Sequence, residues 1–154
     1  MNAVIRKQEY QDIADVERVY TLSWQQAYKN IINDEFLDEL DNSEEDRIKK
    51  SQESYYQNEN KRYVLEVDNK IVGVLSLGKG RNEYHQGSGE LKSLYIIDGY
   101  KVCGYGKKMF LRATKELFDL GYKDIVIGCL NQNPSKDFWT YGWQISRNNY
   151  YSYK

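Results

Sequence analysis

The stretch LYIIDGYKVCGYGKKMF, residues 94–110, joins an apolar run to a helix-like run through a turn with three glycines. The apolar run predicts a buried strand. The residues that follow the turn place an apolar stripe on one face of a helix, at Met109, Phe110, Ala113, Leu117 and Leu120. Free backbone N–H groups and the positive end of the helix dipole converge where a strand, a glycine turn and a helix meet. The sequence therefore predicts a phosphate-binding turn, and a helix cap without a ligand is the alternative.

Two common phosphate-binding patterns do not fit this turn. A Walker loop requires Gly-x4-Gly-Lys-Ser/Thr, but Tyr105 and Gly106 follow Gly104 where Lys and Ser/Thr belong. A dinucleotide-binding fold requires Gly-x-Gly-x-x-Gly, and Met109 stands where the third glycine belongs. The turn therefore calls for a different phosphate ligand.

The elements around the turn predict an α+β fold. Before it come a short strand, an amphipathic helix from Gln11, a second helical region, and a hairpin over 62–78 that turns at Asp68-Asn69. After it come a strand at 123–130, a short helix at 133–142 and a final hairpin around Asn148-Asn149. We expect a mixed, mostly antiparallel sheet of six to seven strands, with flanking helices and one parallel strand-helix-strand crossover. Residues 1–154 are expected to form a single domain.

Charge and composition exclude several classes of function. A net charge of -1 without a basic stripe disfavours a nucleic-acid partner. No apolar run approaches the length of a membrane span, and the polar N-terminus lacks a signal-peptide core, so we expect a cytoplasmic protein. Because His85 is the only histidine, a zinc site or a Ser-His-Asp triad would lack parts, and we expect no metal.

Three segments in order resemble the GCN5-related N-acetyltransferases. The family's Leu-x-Val-x-Pro strand and Gln/Arg-x-x-Gly-x-Gly/Ala turn resemble residues 94–106, with Lys101 in the Gln/Arg position and Asp98 in the proline position. NPSKDFW, residues 133–139, is similar to the Asn-Pro-Ala-x-x-Phe-Tyr segment. SWQQAYKNIINDEFLDEL, residues 23–40, is similar to the N-terminal segment of a bacterial branch. Together they cover nearly the whole chain.

The resemblance implies that acetyl-CoA is the acetyl donor. The turn would bind the pyrophosphate of the coenzyme, one backbone N–H of the fourth strand would polarise the thioester carbonyl, and Asn133 would contact the pantetheine arm. The implied coenzyme-binding residues are Leu94, Tyr95, Ile96, Lys101, Val102, Cys103, Gly104, Tyr105, Gly106, Lys107, Asn133 and Trp139. Cys103 is expected to contribute only its backbone.

The resemblance also implies direct attack of an amine on the thioester. Glu90 is the candidate base, with a solvent-facing strand glutamate as the alternative. Trp139 stands where many relatives have a tyrosine that protonates the departing thiolate, and Tyr141 is the candidate for the missing hydroxyl, with packing of the short helix as the alternative.

The first two helices would wall the acceptor cleft, which makes Trp24 and Tyr28 candidate acceptor contacts. The expected partner is a primary amine of a small molecule or a peptide, and a homodimer stays open. A second hypothesis is an acyl-CoA-binding sensor domain without turnover, which the change to Trp139 favours.

Overall fold

The fold is built on one mixed sheet. The computed structural model describes residues 2–80, 87–101, 103–128, 144–145 and 150–153, of which Gly128 and the last two segments are described by backbone alone. The strands are β1 Ala3–Lys7, β2 Lys61–Val67, β3 Lys70–Lys79, β4 Gly89–Ile96, β5 Ile125–Gly128, β6 Gln144–Ile145 and β7 Tyr150–Tyr153. The helices are α1 Ile13–Tyr28, α2 Asp34–Asn42, α3 Glu44–Ser54 and α4 Tyr105–Asp119, with short 3-10 turns at Tyr10–Asp12 and Tyr55–Gln57.

The strand order confirms the predicted α+β class with one parallel crossover. The order across the sheet is β1-β2-β3-β4-β5-β7-β6. Only β4 and β5, which α4 connects, run parallel; the other described pairs are antiparallel. Up to Gly128 the sheet has five strands, fewer than the six to seven expected, and that number is reached only with the two short C-terminal segments.

The hairpin between β2 and β3 turns where the sequence predicts. Asp68 and Asn69 both have positive φ, 49° and 68°, as a two-residue turn matched to strand twist requires. The ladder slips by one residue at Val72, next to Gly73, which forms a β-bulge. A Cβ on Gly73 would lie 2.9 Å from the Cβ of Leu65, so the close approach of β2 excludes a side chain there.

Helices α1 and α4 cover opposite faces of the sheet. Side chains of successive strand residues point to opposite faces. Tyr95 of β4 meets the rings of α1, whereas Ile96 lies 3.7 Å from the position of a Cβ on Gly106 in α4. The predicted stripe of α4 is confirmed at Met109, Ala113 and Leu117, which are fully buried. Leu120 was wrongly assigned to it: this residue is exposed, because α4 ends at Asp119 and Gly121 turns the chain with φ 98°.

A buried ion pair fixes the entry into α1. The guanidinium of Arg6 in β1 donates two hydrogen bonds to the carboxylate of Asp12, at 2.7 and 3.0 Å. Asp12 also accepts a bond from the N–H of Glu9, and Arg6 bonds Glu66 of β2 at 2.9 Å. Asp12 is only 6% exposed, and the hydrogen bonds from Arg6 lower the pKa of its carboxyl despite burial.

We predict that Asp12→Asn lowers the free energy of unfolding at pH 7 by about 1–3 kcal/mol, because Arg6 loses one of its two carboxylate partners and keeps only Glu66. A lowered pKa in the folded state adds stability above the unfolded pKa of about 3.9, and that stability is lost as pH falls through the folded value. The difference in the free energy of unfolding between variant and wild type should therefore become smaller in acid. Urea denaturation at pH 7 and in acid measures this difference.

The control is Asp41→Asn. Asp41 pairs with Arg18 at 2.8 Å, but both side chains are about half exposed, so the cost should stay below about 1 kcal/mol. Equal losses in the two variants would contradict a special contribution from the Arg6–Asp12 pair.

Candidate functional site

Among the described residues, strand β4 has a second neighbour only along its first half. It pairs with β3 from Gly89 to Ile96, but with β5 only from Gly89 to Leu91. Strand β5 ends at Gly128, so among the described residues the far half of β4 faces no β5 partner.

The hydrogen bonds between β3 and β4 identify which amides of β4 point away from β3. These amides face the edge of β4 that has no described partner, which we call the gap. The N–H of Ile97 donates to the carbonyl of Val72 at 3.0 Å, so this pair is hydrogen-bonded across β3 and β4. Hydrogen-bonded and non-bonded pairs alternate along an antiparallel ladder, so the backbone groups of Tyr95 face β3. Those of Leu94 and Ile96 point to the opposite edge, into the gap. Of the three predicted donors, Leu94 and Ile96 therefore have the right direction.

The turn after β4 is shaped by two left-handed glycines. Gly99 has φ 94°, and Gly104, the N-cap of α4, has φ 82°. The first turn of α4 carries no acidic residue, and the amides of Tyr105, Gly106 and Lys107 precede the first intrahelical bond, from Lys108 N–H to the Gly104 carbonyl at 3.2 Å. Three donors at the positive end of a helix dipole can bind an anion.

The glycines of the turn leave open space. A Cβ on Gly104 would meet no protein atom within 4 Å, and one on Gly106 would meet only Ile96, at 3.7 Å. Packing within the protein therefore does not require either glycine. Gly104 is required by its positive φ, whereas Gly106 has ordinary helical geometry and leaves the helix surface bare at the first turn.

The side chains of the turn are exposed and paired locally. The ammonium of Lys101 lies 3.0 Å from the carboxylate of Asp98, so the two departures from the family pattern form an ion pair with each other. The thiol of Cys103 is exposed and lies 3.5 Å from the carbonyl of Lys101. The N–H of Asp98 is held by the side-chain oxygen of Gln26 in α1 at 2.8 Å, a link that the sequence did not reveal.

Glu90 is fully buried. It lies in the part of β4 that has neighbours on both sides, opposite Gly78 of β3 and Val126 of β5. The alternative of a solvent-facing strand glutamate is therefore wrong. Burial also means that no acceptor can touch this carboxylate directly, so proton transfer to it requires a water or another side chain in between.

An aromatic wall from α1 stands over the far half of β4. The rings of Tyr20 and Trp24 lie 5.7 and 6.5 Å from the ring of Tyr95. The hydroxyls of Tyr20 and Ser93 are 2.7 Å apart, which fastens α1 to β4. Tyr28 is 3% exposed, and its ring centroid lies 4.7 Å from that of Trp24. Tyr28 therefore packs against Trp24 on the buried side.

Sequence reasoning missed Tyr20 and Ser93 as members of this site. Tyr20 appears in the sequence as one more residue of the apolar stripe of α1, four positions before Trp24. The Tyr20 hydroxyl reaches Ser93 of the sheet only because α1 packs across β4 at this residue. Four predicted residues, Val102, Asn133, Trp139 and Tyr141, lie outside the described residues.

None of the helices in the described part of the chain is both long and apolar enough to cross a bilayer. The described residues also bring no group of three or more His, Cys, Asp or Glu side chains together as a metal site would require.

Comparison with known proteins gives a consistent result. A sequence model of the acetyltransferase (GNAT) family matches residues 16–143. The uncharacterized N-acetyltransferase YuaI of Bacillus subtilis is 26% identical over 137 residues, which cover 88% of this chain and 76% of that protein.

Solved structures share the fold. PaiA N-acetyltransferase from Thermoplasma acidophilum, crystallised with coenzyme A, superposes with a TM-score of 0.77 at 19% identity, over 99% of this chain and 97% of that one. A GNAT family acetyltransferase from Brucella melitensis, in complex with acetyl-CoA, gives a TM-score of 0.64 at 17% identity, over 99% and 87% of the chains.

Proposed function

The chain belongs to the acetyltransferase (GNAT) family, and on that premise we propose that it transfers an acetyl group from acetyl-CoA to a primary amine of a small molecule or peptide. The observation that carries this proposal is the edge of β4 at Leu94 and Ile96, which has no β5 partner among the described residues, together with the open first turn of α4 that follows it in the chain. A pantetheine arm is long and narrow and carries amides, so it suits a strand edge with free donors. A pyrophosphate suits the turn.

On the donor side, the backbone does most of the binding. The amides of Tyr105, Gly106 and Lys107 bind the pyrophosphate, and the bare surface at Gly106 lets it approach. The predicted contacts from Val102 and Cys103 are backbone contacts as well, and Lys101 adds a cation at the rim. Coenzyme A and acetyl-CoA in the structural neighbours support this assignment.

The reaction is a direct attack. The amine nitrogen forms a bond to the thioester carbon, the carbonyl oxygen becomes an oxyanion that accepts a hydrogen bond from the Leu94 or Ile96 amide, and the carbon–sulfur bond then breaks. One preorganised donor of this kind is worth roughly 3 kcal/mol on a transition state. The nitrogen of the new amide gives up its second proton, and the thiolate leaves with the coenzyme and takes up a proton in its place.

Proton transfer involves a buried base. The acceptor ammonium loses its proton before attack, and Glu90 accepts it through an intervening water or hydroxyl, since the carboxylate itself is buried. Tyr141 is proposed to protonate the thiolate, with Trp139 and Asn133 beside the pantetheine arm. We place the reaction in the cytoplasm.

We predict that acetyl-CoA raises the melting temperature of the protein. A ligand that binds only the native state adds about 2.7 kcal/mol at about 100 times its dissociation constant. ATP and NADH should have much smaller effects, because the turn lacks their binding patterns. A larger shift with ATP would contradict the donor assignment. An acetyl-CoA shift without thiol release on a panel of amines would favour the sensor alternative.

We predict opposite effects of Gly106→Ala on stability and on binding. The free protein should gain up to about 1 kcal/mol, since glycine is disfavoured inside helices and the methyl group meets only Ile96. Acetyl-CoA affinity should fall, because the methyl group occupies the path of the phosphate. Chemical denaturation and calorimetric titration measure the two effects.

The matched variant is Gly104→Ala. There the positive φ of 82° should cost stability, by about 1–2 kcal/mol. Unchanged affinity in Gly106→Ala would contradict a close approach of the phosphate at this residue.

We predict that Glu90→Gln lowers turnover by roughly 100-fold with a physiological amine, while the melting shift with acetyl-CoA is retained. The loss should shrink with an electron-poor amine that is already neutral at pH 7, because that amine needs no base. A merely structural glutamate would give the same loss with both amines, and such a result would remove Glu90 from the mechanism.

A further inference from the structure

The cavity between α1 and α2 indicates which amines this enzyme acetylates. Resting on the proposed function, we propose that the acceptor is a primary amine carried on an aromatic or bulky apolar group, and that this group binds in that cavity. Amines whose remaining part is cationic, such as polyamines, are excluded by the same surface.

The cavity lies next to the aromatic rings that pack on Tyr95 of β4. It has a volume of about 360 Å³ and is lined by Glu17, Tyr20, Trp24, Phe36, Leu40 and Arg47. Tyr20 and Trp24 are the two rings that contact Tyr95 of β4, and the neighbours of Tyr95 supply the amides that face the gap. An amine group at the thioester would therefore carry its substituent into the cavity.

The surface of the cavity is apolar and rich in aromatic rings. Trp24 and Tyr20 of α1 face Phe36 and Leu40, which lie one turn apart on α2. Phe36 is 51% exposed, and a ring stacked on it would cover it. The volume is near the lower end of ligand pockets, about 300–1,000 Å³, and suits a single substituted ring.

The charges in the cavity cancel. Arg47 donates a hydrogen bond to Glu17 at 2.8 Å and another to the carbonyl of Leu40 at 2.8 Å. Glu17 also accepts a bond from the hydroxyl of Ser51 at 2.9 Å. Among the described residues that line the cavity, only Glu17 and Arg47 are charged.

A second ammonium group would therefore find a carboxylate that already has a cationic partner. It would have to leave water without gaining an ion pair, which is unfavourable. A neutral apolar substituent has no such cost. The paired charges thus select against polyamines, and the rings select for apolar amines.

The test compares 2-phenylethylamine with spermidine as acceptors at saturating acetyl-CoA. We expect kcat/KM for 2-phenylethylamine to be higher by about tenfold or more. In parallel, each amine is titrated by calorimetry into the protein saturated with coenzyme A, and only 2-phenylethylamine should bind. This binding experiment does not depend on turnover.

Paired variants locate the effect. Phe36→Ala should raise KM for 2-phenylethylamine by about tenfold and weaken its binding, with unchanged acetyl-CoA affinity. The matched control is Phe118→Ala, since Phe118 is similarly exposed, at 42%, but lies near the end of α4. It should leave KM within about twofold.

Three outcomes would overturn the inference. A preference for spermidine would remove the apolar acceptor but leave the acetyltransferase function intact. Equal effects of Phe36→Ala and Phe118→Ala would remove the cavity as its binding site. Absence of both transfer and binding for 2-phenylethylamine would overturn the inference, and loss of the acetyl-CoA melting shift as well would overturn the proposed function.

Discussion

The structure depends on a single constraint, the unequal pairing of β4. Strand β4 hydrogen-bonds to two neighbours at its start and, among the described residues, to β3 alone at its end. The paired half buries Glu90 in the sheet, and the unpaired half turns the amides of Leu94 and Ile96 toward the gap. Unpaired backbone donors are costly when buried, so a site of this kind is stable only where water or a ligand can satisfy them.

The helices are held at the gap by charged groups rather than by packing alone. Arg6 and Asp12 fix the start of α1 against β1, and Arg47 joins α3 to both α1 and α2. These pairs have a second consequence for the site. Because Arg47 neutralises Glu17 inside the cavity between α1 and α2, the same interaction that fixes the three helices also leaves no unpaired charge among the described residues that line this cavity.

The turn after β4 could be predicted from the sequence because the residues that form it are close together in the chain. Glycines, a preceding apolar strand and a following stripe specify an anion-binding helix start without knowledge of any distant residue. The hydrogen bond between Tyr20 and Ser93 and the one from Asp98 to Gln26 could not be predicted from the sequence. Both join α1 to residues more than 70 positions away. Neither residue has a sequence pattern that distinguishes it from a neighbour on the same helix.

By itself, the sequence determined the class of fold, the hairpin at Asp68-Asn69 and the position of the glycine turn before α4, because periodicity and turn chemistry act over a few residues. Only the tertiary structure decided that Glu90 is buried, that Tyr28 lies behind Trp24, and that Glu17 is neutralised by Arg47. The exposure and charge balance of a side chain depend on which elements pack over it. That packing is set by the register of the sheet and the crossing of the helices, which no local pattern encodes.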